Sequence, residues 1–300
     1  MKVHSDLVER GDLAPLAPAV GPFPGTDFLR AWLDELGEGV EPVTVDWDEG
    51  QLSMMKTDAR IELMGEPDLT DYHSPLGQGL DEAIGFLCEE IGSGIELSFD
   101  SLPEEAAAPL LMALENAGLS STSIVHETAM VLSLPSDRDE FYGRLPKRER
   151  QELRRKRRRY EELIGPVVHH SGGGEGFDEF VRLHRLAPGE KGQFMIGRRL
   201  AFFSRLAELS GWRVDYLATP TGGAAACVFG WSDSDGYYVY NSSYDPSLRA
   251  ASPGLVLLQS MIERAIGDGL SIFDFLKGDE DYKARLGAQR RQLLRLEATT

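Results

Sequence analysis

The chain has 300 residues, of which 42% are hydrophobic, and its formal net charge is −18. This length is enough for two domains that each bury a core, whereas the acidic excess argues against general affinity for nucleic acid or anionic lipid. Two cysteines are too few for a disulfide framework or a zinc site, and no apolar run is long enough to span a bilayer.

The first 25 residues are rich in proline and glycine and predict an irregular lead-in. Asp6, Glu9 and Asp12 interrupt any apolar stretch there, so the segment does not have the pattern of a secretory signal. We therefore expect a cytoplasmic protein, a monomer or a homodimer, with no metal ion and no membrane partner.

Short strands and helices alternate over residues 26–140. The spacing of apolar residues predicts helices over 28–36, 80–91 and 104–117. Runs of strand-forming residues bounded by turn residues predict strands over 43–45, 52–55, 61–64, 95–99 and 124–134. We predict a first domain of mixed α/β structure over residues 1–140.

A run of basic residues, RLPKRERQELRRKRRRYEELI, covers residues 144–164. Good helix formers after Pro146 predict a helix that connects two domains, over residues 141–166. Its apolar stripe is thin, so most of its surface should face water. In the interpretation that we favour, its arginines pair with acidic surfaces. In the alternatives, Arg148, Arg154 and Arg155 hold an anionic substrate, or the helix binds nucleic acid.

The second half, residues 167–300, predicts two helices followed by an antiparallel meander. Its strands are expected over 213–218, 224–231 and 237–243. A helix then begins at Pro253-Gly254, and a short apolar strand follows over 271–276. Strand, loop, helix and strand in this order form a βαβ unit, so its two strands should be parallel. A last strand over 293–298 is expected to close this second domain.

The start of that helix has the composition of an anion site. Unpaired N–H groups at a helix start, with the positive end of the helix dipole, favour a phosphate. Arg249 can pair with a phosphate oxygen, Ser252 stands at the N-cap, and Gly254 allows close approach. Pro253 and Leu255 complete the predicted site as first-turn residues. An ordinary helix start has the same composition, so both interpretations remain open.

Two stretches of the chain are similar to each other. They are DYHSPLGQGLDEAIGFLCEEIGSGIELSF, residues 71–99, and YDPSLRAASPGLVLLQSMIERAIGDGLSIFDF, residues 244–275. Each has an Asp and Tyr pair, a Ser-Pro, a helix ended by Gly-x-Gly and a short apolar strand. Repetition at this length indicates duplicated domains.

The segments SYDPSLRAASPG and FDFLKGDEDYK resemble the acetyltransferase-like family around the cellulose-biosynthesis protein CelD, a branch of the GNAT superfamily. The chain is more distantly similar to the Fem-type aminoacyltransferases that build peptidoglycan cross-bridges. The resemblance implies an α/β (α+β) protein with two tandem GNAT-like domains, each a mixed, mostly antiparallel sheet flanked by helices. It also implies acetyl-CoA or another acyl-CoA as co-substrate, with its phosphates at the loop-to-helix junction. The usual glycine spacing of the GNAT pyrophosphate loop is absent, and only Arg249 and Gly254 match that loop.

Four residues are predicted to carry the chemistry. Acyl transfer to an amine requires a base and hydrogen bonds to the tetrahedral oxyanion. Asp245 is expected to take or orient the amine proton, and Asp274, between two phenylalanines, to be a desolvated carboxylate with a raised pKa. By resemblance, Tyr282 protonates the leaving thiolate and Lys283 stabilises negative charge. Patterns for a serine triad, an HExxH site or a CxxC site are absent.

The acceptor is expected to lie between the two domains, a common position for ligand sites. The predicted substrate contacts are Asp71, Tyr72, Arg148, Arg154 and Tyr244. Because the first domain has no equivalent of residues 277–283, we interpret it as a degenerate copy that shapes the acceptor site.

The leading hypothesis is an acyl-CoA-dependent N-acyltransferase that transfers an acetyl group to an amine of a small molecule, amino sugar or amino acid. One alternative is a Fem-like transferase that draws on aminoacyl-tRNA, which the basic helix motivates. Another is a non-catalytic GNAT-like protein of polysaccharide biosynthesis. Nucleic acid is expected as a partner only under the tRNA alternative.

Overall fold

The structure is a computed structural model and describes residues 1–57 and 60–300. The chain forms two compact units, residues 1–129 with 291–300, and residues 130–290. The basic helix thus lies inside the second unit and is not a separate connector, and the last ten residues belong to the first. The predicted divisions after residues 140 and 166 do not coincide with these boundaries.

The first unit is a mixed sheet flanked by helices. Its elements are β1 (Lys2–His4), α1 (Thr26–Leu36), β2 (Glu41–Trp47), β3 (Gly50–Thr57), β4 (Arg60–Leu63), β5 (Leu76–Gly77), α2 (Leu80–Ile91), β6 (Glu96–Pro103), α3 (Glu104–Asn116), most of β7 (Ser120–Ser133) and most of β13 (Gln289–Thr299). The strand order is β1-β2-β3-β4-β6-β13-β7, with β5 against β3. Strands β1 to β4 pair antiparallel, and β6 pairs parallel to β4.

Strand β13 pairs antiparallel with β6, from Leu293 opposite Pro103 to Thr299 opposite Glu96. The prediction that this strand closes the second domain was therefore wrong. Apolar side chains alternate with polar ones along β13. This pattern is compatible with any sheet that has one buried face, so it does not indicate which sheet the strand joins.

The second unit is also a mixed sheet between helices. Its elements are α4 (Arg138–Arg144), α5 (Lys147–Leu163), β8 (Val168–Gly172), α6 (Gly174–Leu186), α7 (Glu190–Phe194), α8 (Gly197–Glu208), β9 (Trp212–Ala218), β10 (Ala224–Ser232), β11 (Gly236–Tyr244), a 3-10 turn (Pro246–Ala251), α9 (Pro253–Gly267), β12 (Ile272–Lys277) and α10 (Asp281–Arg285). Its strand order is β12-β11-β10-β9-β8, in which only the β11–β12 pair is parallel among the described strands.

Different helices pack on the two faces of this sheet. One face packs against α9 and α5 in a core that includes Val228, Tyr237 and Phe273. Phe229 is the strand neighbour of Val228 and so points to the other face, where its ring contacts Phe180 of α6. Helix α9 therefore lies on the opposite side of β10 from α6.

Helix α9 is buried on more sides than its sequence predicts. The predicted apolar stripe ends at Ile266, yet Gln259 and Ser260 are buried as well. This is because α5 packs along one side of α9 while the sheet covers another. The basic helix is thus partly a core element, through Leu153 and Tyr160.

The predicted fold class is confirmed, and the helices and strands predicted up to residue 276 follow one another in the predicted order. Each unit has an antiparallel meander, then a helix, then a strand parallel to the last strand of the meander. Within the described ranges no helix combines the length and the apolar character needed to cross a membrane.

Candidate active site

Strands β11 and β12 separate at their carboxyl ends. They pair from Gly236 opposite Ile272 to Tyr238 opposite Asp274, and pairing then stops although both strands continue. A bulge in β11 lies at this point, since Phe229 of β10 is opposite Asn241 and the next residue is opposite Val239. A bulge bends its strand. The result is an opening on the β12 side of β11, where no pairing with β12 is found beyond Tyr238 among the described residues, while β10 still pairs with the other side.

The 3-10 turn carries the chain from β11 to the start of α9. Asp245 caps the turn, because its Oδ1 accepts hydrogen bonds from the Ser247 N–H at 2.9 Å and from the Ser247 hydroxyl at 2.6 Å. Ser252 has a left-handed backbone with φ 54°, which turns the chain into Pro253 at the first helical position. The N–H groups of Gly254 and Leu255 then have no intrahelical partner.

Basic side chains surround this helix start. Lys156 Nζ donates to Ser252 Oγ at 2.8 Å, and Arg159 Nε donates to the Ala250 carbonyl at 3.1 Å. Arg249 is exposed and forms no ion pair with another described residue. The first turn of α9 contains no acidic residue. The helix dipole and these cations together favour an anion such as a phosphate or pyrophosphate near the start of α9.

The sequence analysis did not identify Lys156 or Arg159 as site residues. The available signal was their position: they lie three residues apart and beside the buried stripe of Leu153 and Tyr160. Long side chains at the border of a buried stripe can extend across the helix contact to the neighbouring element, instead of pointing into water.

The sheet of the first unit opens in the same way, between β4 and β6, but there a side chain fills the opening. Pairing of β4 with β6 ends at Glu62 opposite Ser98. Beyond that point His73 bridges the two strands, with Nε2 at 3.2 Å from the Met64 carbonyl and Nδ1 at 3.0 Å from the Asp100 carbonyl. Helix α2, the counterpart of α9, has two acidic residues in its first turn. Filling and charge both disfavour an anion there.

Lys283 is held by the backbone at the end of β12. Its Nζ donates to the Lys277 carbonyl at 2.7 Å and to the Gly278 carbonyl at 2.9 Å, and it pairs with Glu280 at 2.9 Å. The residue is only 3% exposed. These contacts engage the ammonium donors, so Lys283 stabilises this part of the fold, and its role toward substrate charge stays a prediction.

Asp274 is likewise committed to the fold. The residue is fully buried, and its Oδ1 accepts the N–H of Leu276 at 2.7 Å. Leu276 has φ 59°, a left-handed conformation that an apolar residue rarely adopts. Asp274 therefore supports a strained end of β12 in this structure, and its catalytic role stays a prediction.

Tyr282 is the predicted catalytic residue with the most suitable surroundings. It lies on α10, 36% exposed, with its ring edge against Phe275. Burial, with a contribution from the charge of Glu280, raises the pKa of Tyr282 to about 12. The phenol therefore stays protonated at neutral pH and is suited to donate a proton. Its hydroxyl makes no hydrogen bond to another described residue.

The other predicted contacts are distributed over several places. Tyr244 is 40% exposed at the end of β11, and Asp245 borders a cavity of about 470 Å³ beside the 3-10 turn. Arg148 lines a groove of about 840 Å³ between α5 and α10, whereas Arg154 does not line it.

Asp71 and Tyr72 belong to the first unit. Tyr72 is fully buried, with its ring between Phe23 and the guanidinium of Arg291. It is a core residue without surface to offer a substrate, which corrects the prediction for Tyr72. Asp71 is partly buried. Among residues 1–57 and 60–300, no group of three or more His, Cys, Asp or Glu is arranged to hold a metal ion.

Replacing Gly254 by alanine should separate folding from anion binding. A Cβ there meets nothing within 4 Å, so the change should stabilise the helix by up to about 1 kcal/mol. The methyl group would occupy the space beside the free N–H groups, so the Kd for acetyl-CoA should rise about 10-fold, near 1.4 kcal/mol. Thermal unfolding and calorimetric titration measure the two effects.

Gly267 is the matched control, since it lies in the same helix and its Cβ would make only an ordinary contact, 3.9 Å from Arg138. Gly267→Ala should stabilise similarly and leave binding unchanged. Equal Kd values for both variants would exclude the α9 start as the anion site.

Comparison with known proteins agrees with this geometry. Residues 147–284 match the sequence model of the family described as Acetyltransferase (GNAT) domain. No curated protein sequence matches the chain.

Solved structures share the fold at low sequence identity. A conserved protein of unknown function from Bacteroides thetaiotaomicron VPI-5482 is 12% identical over 93% of both chains, with a TM-score of 0.63. L-PGS from Bacillus licheniformis is 11% identical, over 92% of this chain and 93% of the other, with a TM-score of 0.61. FemX is 12% identical over 91% of both chains, with a TM-score of 0.59. Residues 147–284 therefore match the Acetyltransferase (GNAT) domain model, and the chain as a whole shares its fold with these solved structures.

Proposed function

We propose that the protein is an acyl-CoA-dependent N-acyltransferase that transfers an acetyl group to an amine of a small molecule, amino sugar or amino acid. The observation that carries this is the position of the α9 start, with Lys156 and Arg249 beside it, next to the opening between β11 and β12. A pyrophosphate at the helix start leaves an extended pantetheine arm free to follow β11 into the opening.

The backbone of β11 supplies the polar partners along this path. Beyond Tyr238 its N–H and C=O groups on the open side have no strand partner among the described residues. Such groups pair with an extended amide chain as a neighbouring strand does. An N–H of β11 near the bulge can also hydrogen-bond the thioester oxygen and stabilise the oxyanion.

Tyr282 is assigned the protonation of the leaving thiolate. The Tyr282→Phe variant removes that proton without disturbing a hydrogen bond between described residues, so its stability should be unchanged. General acid catalysis contributes about 10²–10⁴-fold, so we expect kcat to fall about 100-fold with the KM for acetyl-CoA within about threefold.

Because the pKa of Tyr282 is raised to about 12, its proton is retained up to pH 10. No alkaline decline of kcat below that pH should come from this residue. An unchanged kcat in the variant would remove the assignment.

Calorimetric titration tests the donor directly. We expect acetyl-CoA and CoA to bind and 3′-dephospho-CoA to bind nearly as well, because the pyrophosphate and not the 3′-phosphate lies at α9. Pantetheine alone, without phosphates, should bind far more weakly. Failure of all these compounds to bind would refute the proposed donor.

A second candidate donor is an aminoacyl-tRNA. Helix α5 carries nine basic and four acidic side chains, and Lys147, Arg148 and Arg154 form no ion pair with another described residue. An exposed cationic surface of this kind suits a polynucleotide. Binding of charged tRNA with a steep salt dependence, together with no binding of acetyl-CoA, would favour this candidate.

A further inference from the structure

His184 of α6 is a buried polar residue to which the proposed function assigns no role. It is 1% exposed and lies among aromatic rings, 4.6 Å from Phe180 and 6.1 Å from Phe194 between ring centroids. A side chain of this polarity in such surroundings is normally tied down by hydrogen bonds.

Neither ring nitrogen of His184 has a hydrogen-bond partner among the described residues. Asn241 and the backbone of Lys191 approach the ring without reaching hydrogen-bond geometry. Burial, with the nearby charge of Lys191, lowers the pKa of His184 to about 4, so the imidazole is neutral at pH 7. Leaving two buried polar atoms unpaired is costly, so such a group in a folded protein calls for an explanation, of which a catalytic role is one.

The position of His184 relative to the opening is informative. Asn241 directly follows the bulged residue Tyr240 of β11, where that strand leaves β12. Helix α6 packs on β10 and β11 on the face opposite α9. A phosphate at α9 and the imidazole of His184 therefore lie on opposite faces of β11, so an amine beside His184 would approach a thioester held at the opening from the face away from the phosphates.

Helix α7 covers the ring. Its five residues lie between Gly189, with φ 70°, and Gly197, with φ 56°, and Phe194 of α7 contacts His184. Glycines with left-handed backbones at both ends allow the segment to change direction.

We propose that His184 is the catalytic base on the acceptor side, and that the amine reaches it when α7 swings away between Gly189 and Gly197. This inference rests on the proposed acyl-CoA donor. Its chemical consequence is a primary amine acceptor that enters in its neutral form, because aromatic rings line the way to the imidazole.

The step balances as follows. The amine lone pair forms the N–C bond to the acyl carbon, and one amine proton passes to the free imidazole nitrogen. The C–S bond breaks, its electron pair stays on sulfur, and the thiolate takes the phenol proton of Tyr282. After product release the imidazolium loses its proton to water and the tyrosinate regains one, so both residues return to their starting states.

Hydroxylamine is a suitable probe, since it is small and neutral at pH 7.5 and forms acetohydroxamate from acetyl-CoA. His184→Phe fills the aromatic surroundings and removes two unpaired polar atoms, so its Tm should be equal to or above that of the wild type. Its acetohydroxamate rate should fall at least about 100-fold, with the Kd for acetyl-CoA unchanged. His184→Ala should lose the same activity and recover part of it on addition of imidazole, which a purely structural role does not produce.

A His184→Phe variant that keeps more than a third of the wild-type rate overturns the proposal. So does a wild-type protein that binds acetyl-CoA but does not accelerate acetohydroxamate formation above the uncatalysed rate. Absence of acetyl-CoA binding by the wild type is a different result, because it overturns the proposed donor itself and removes the basis for an acceptor-side base.

Discussion

Reversing the charge of Lys156 should weaken acetyl-CoA binding about 100-fold, near 2.7 kcal/mol. In Lys156→Glu a carboxylate replaces the ammonium that donates to Ser252, and it would lie beside the N–H groups expected to hold the pyrophosphate. The variant thus loses one attraction and gains one repulsion at short range. Calorimetric titration at low and moderate salt measures the change.

Arg158→Glu is the matched control. It makes the same change of charge on α5, but Arg158 is largely exposed and its one ion pair within residues 1–57 and 60–300 is with Glu162, at 3.7 Å. Its Kd for acetyl-CoA should stay within about twofold, since exposed charges are screened by salt. If both variants weaken acetyl-CoA binding equally, the anion site is not at α9. If both weaken tRNA equally and neither affects acetyl-CoA, the aminoacyl-tRNA donor is favoured.

Removing the ammonium of Lys283 should destabilise the domain by about 3 kcal/mol, because breaking a buried ionic network leaves its partners unsatisfied. In Lys283→Met the carbonyls of Lys277 and Gly278 lose their donor while the apolar stem is kept. The free energy of unfolding from urea denaturation measures the loss.

Arg285→Met tests whether the effect depends on position. Arg285 lies on the same helix, is exposed and makes no ion pair with another described residue, so the change should cost less than about 0.5 kcal/mol. A Lys283→Met protein with unchanged stability and lost activity would restore the catalytic role that the sequence suggested for Lys283.

Much of the fold could be predicted from the sequence. The helix over residues 80–91 has the predicted bounds, because its apolar spacing is regular and glycines border it on both sides. The parallel pairing of β11 with β12 followed from the order of strand, helix and strand. Local patterns of this kind depend on residues that are close together in the chain, so they can be recognised from the sequence alone.

The site was less predictable for a physical reason. Asp274 and Lys283 have the residue types of a catalytic pair, yet both bond to backbone atoms at the end of β12, and Lys283 also pairs with Glu280. Composition does not distinguish a carboxylate that supports a turn from one that binds a substrate. The predicted first-turn residues Ser252 to Leu255 do begin α9, while Lys156 reaches them only through helix packing. His184 escaped notice because its unpaired nitrogens appear only when every neighbour is known.

The place of β13 has a consequence for biosynthesis. Strand β6 of the first unit lies between β4 and β13, so one of its edges stays bare until residues 291–300 have left the ribosome. Most multidomain chains complete their N-terminal part while translation continues. Here residues 1–129 must wait for residues 291–300, with an unpaired strand edge open to wrong partners in the interval.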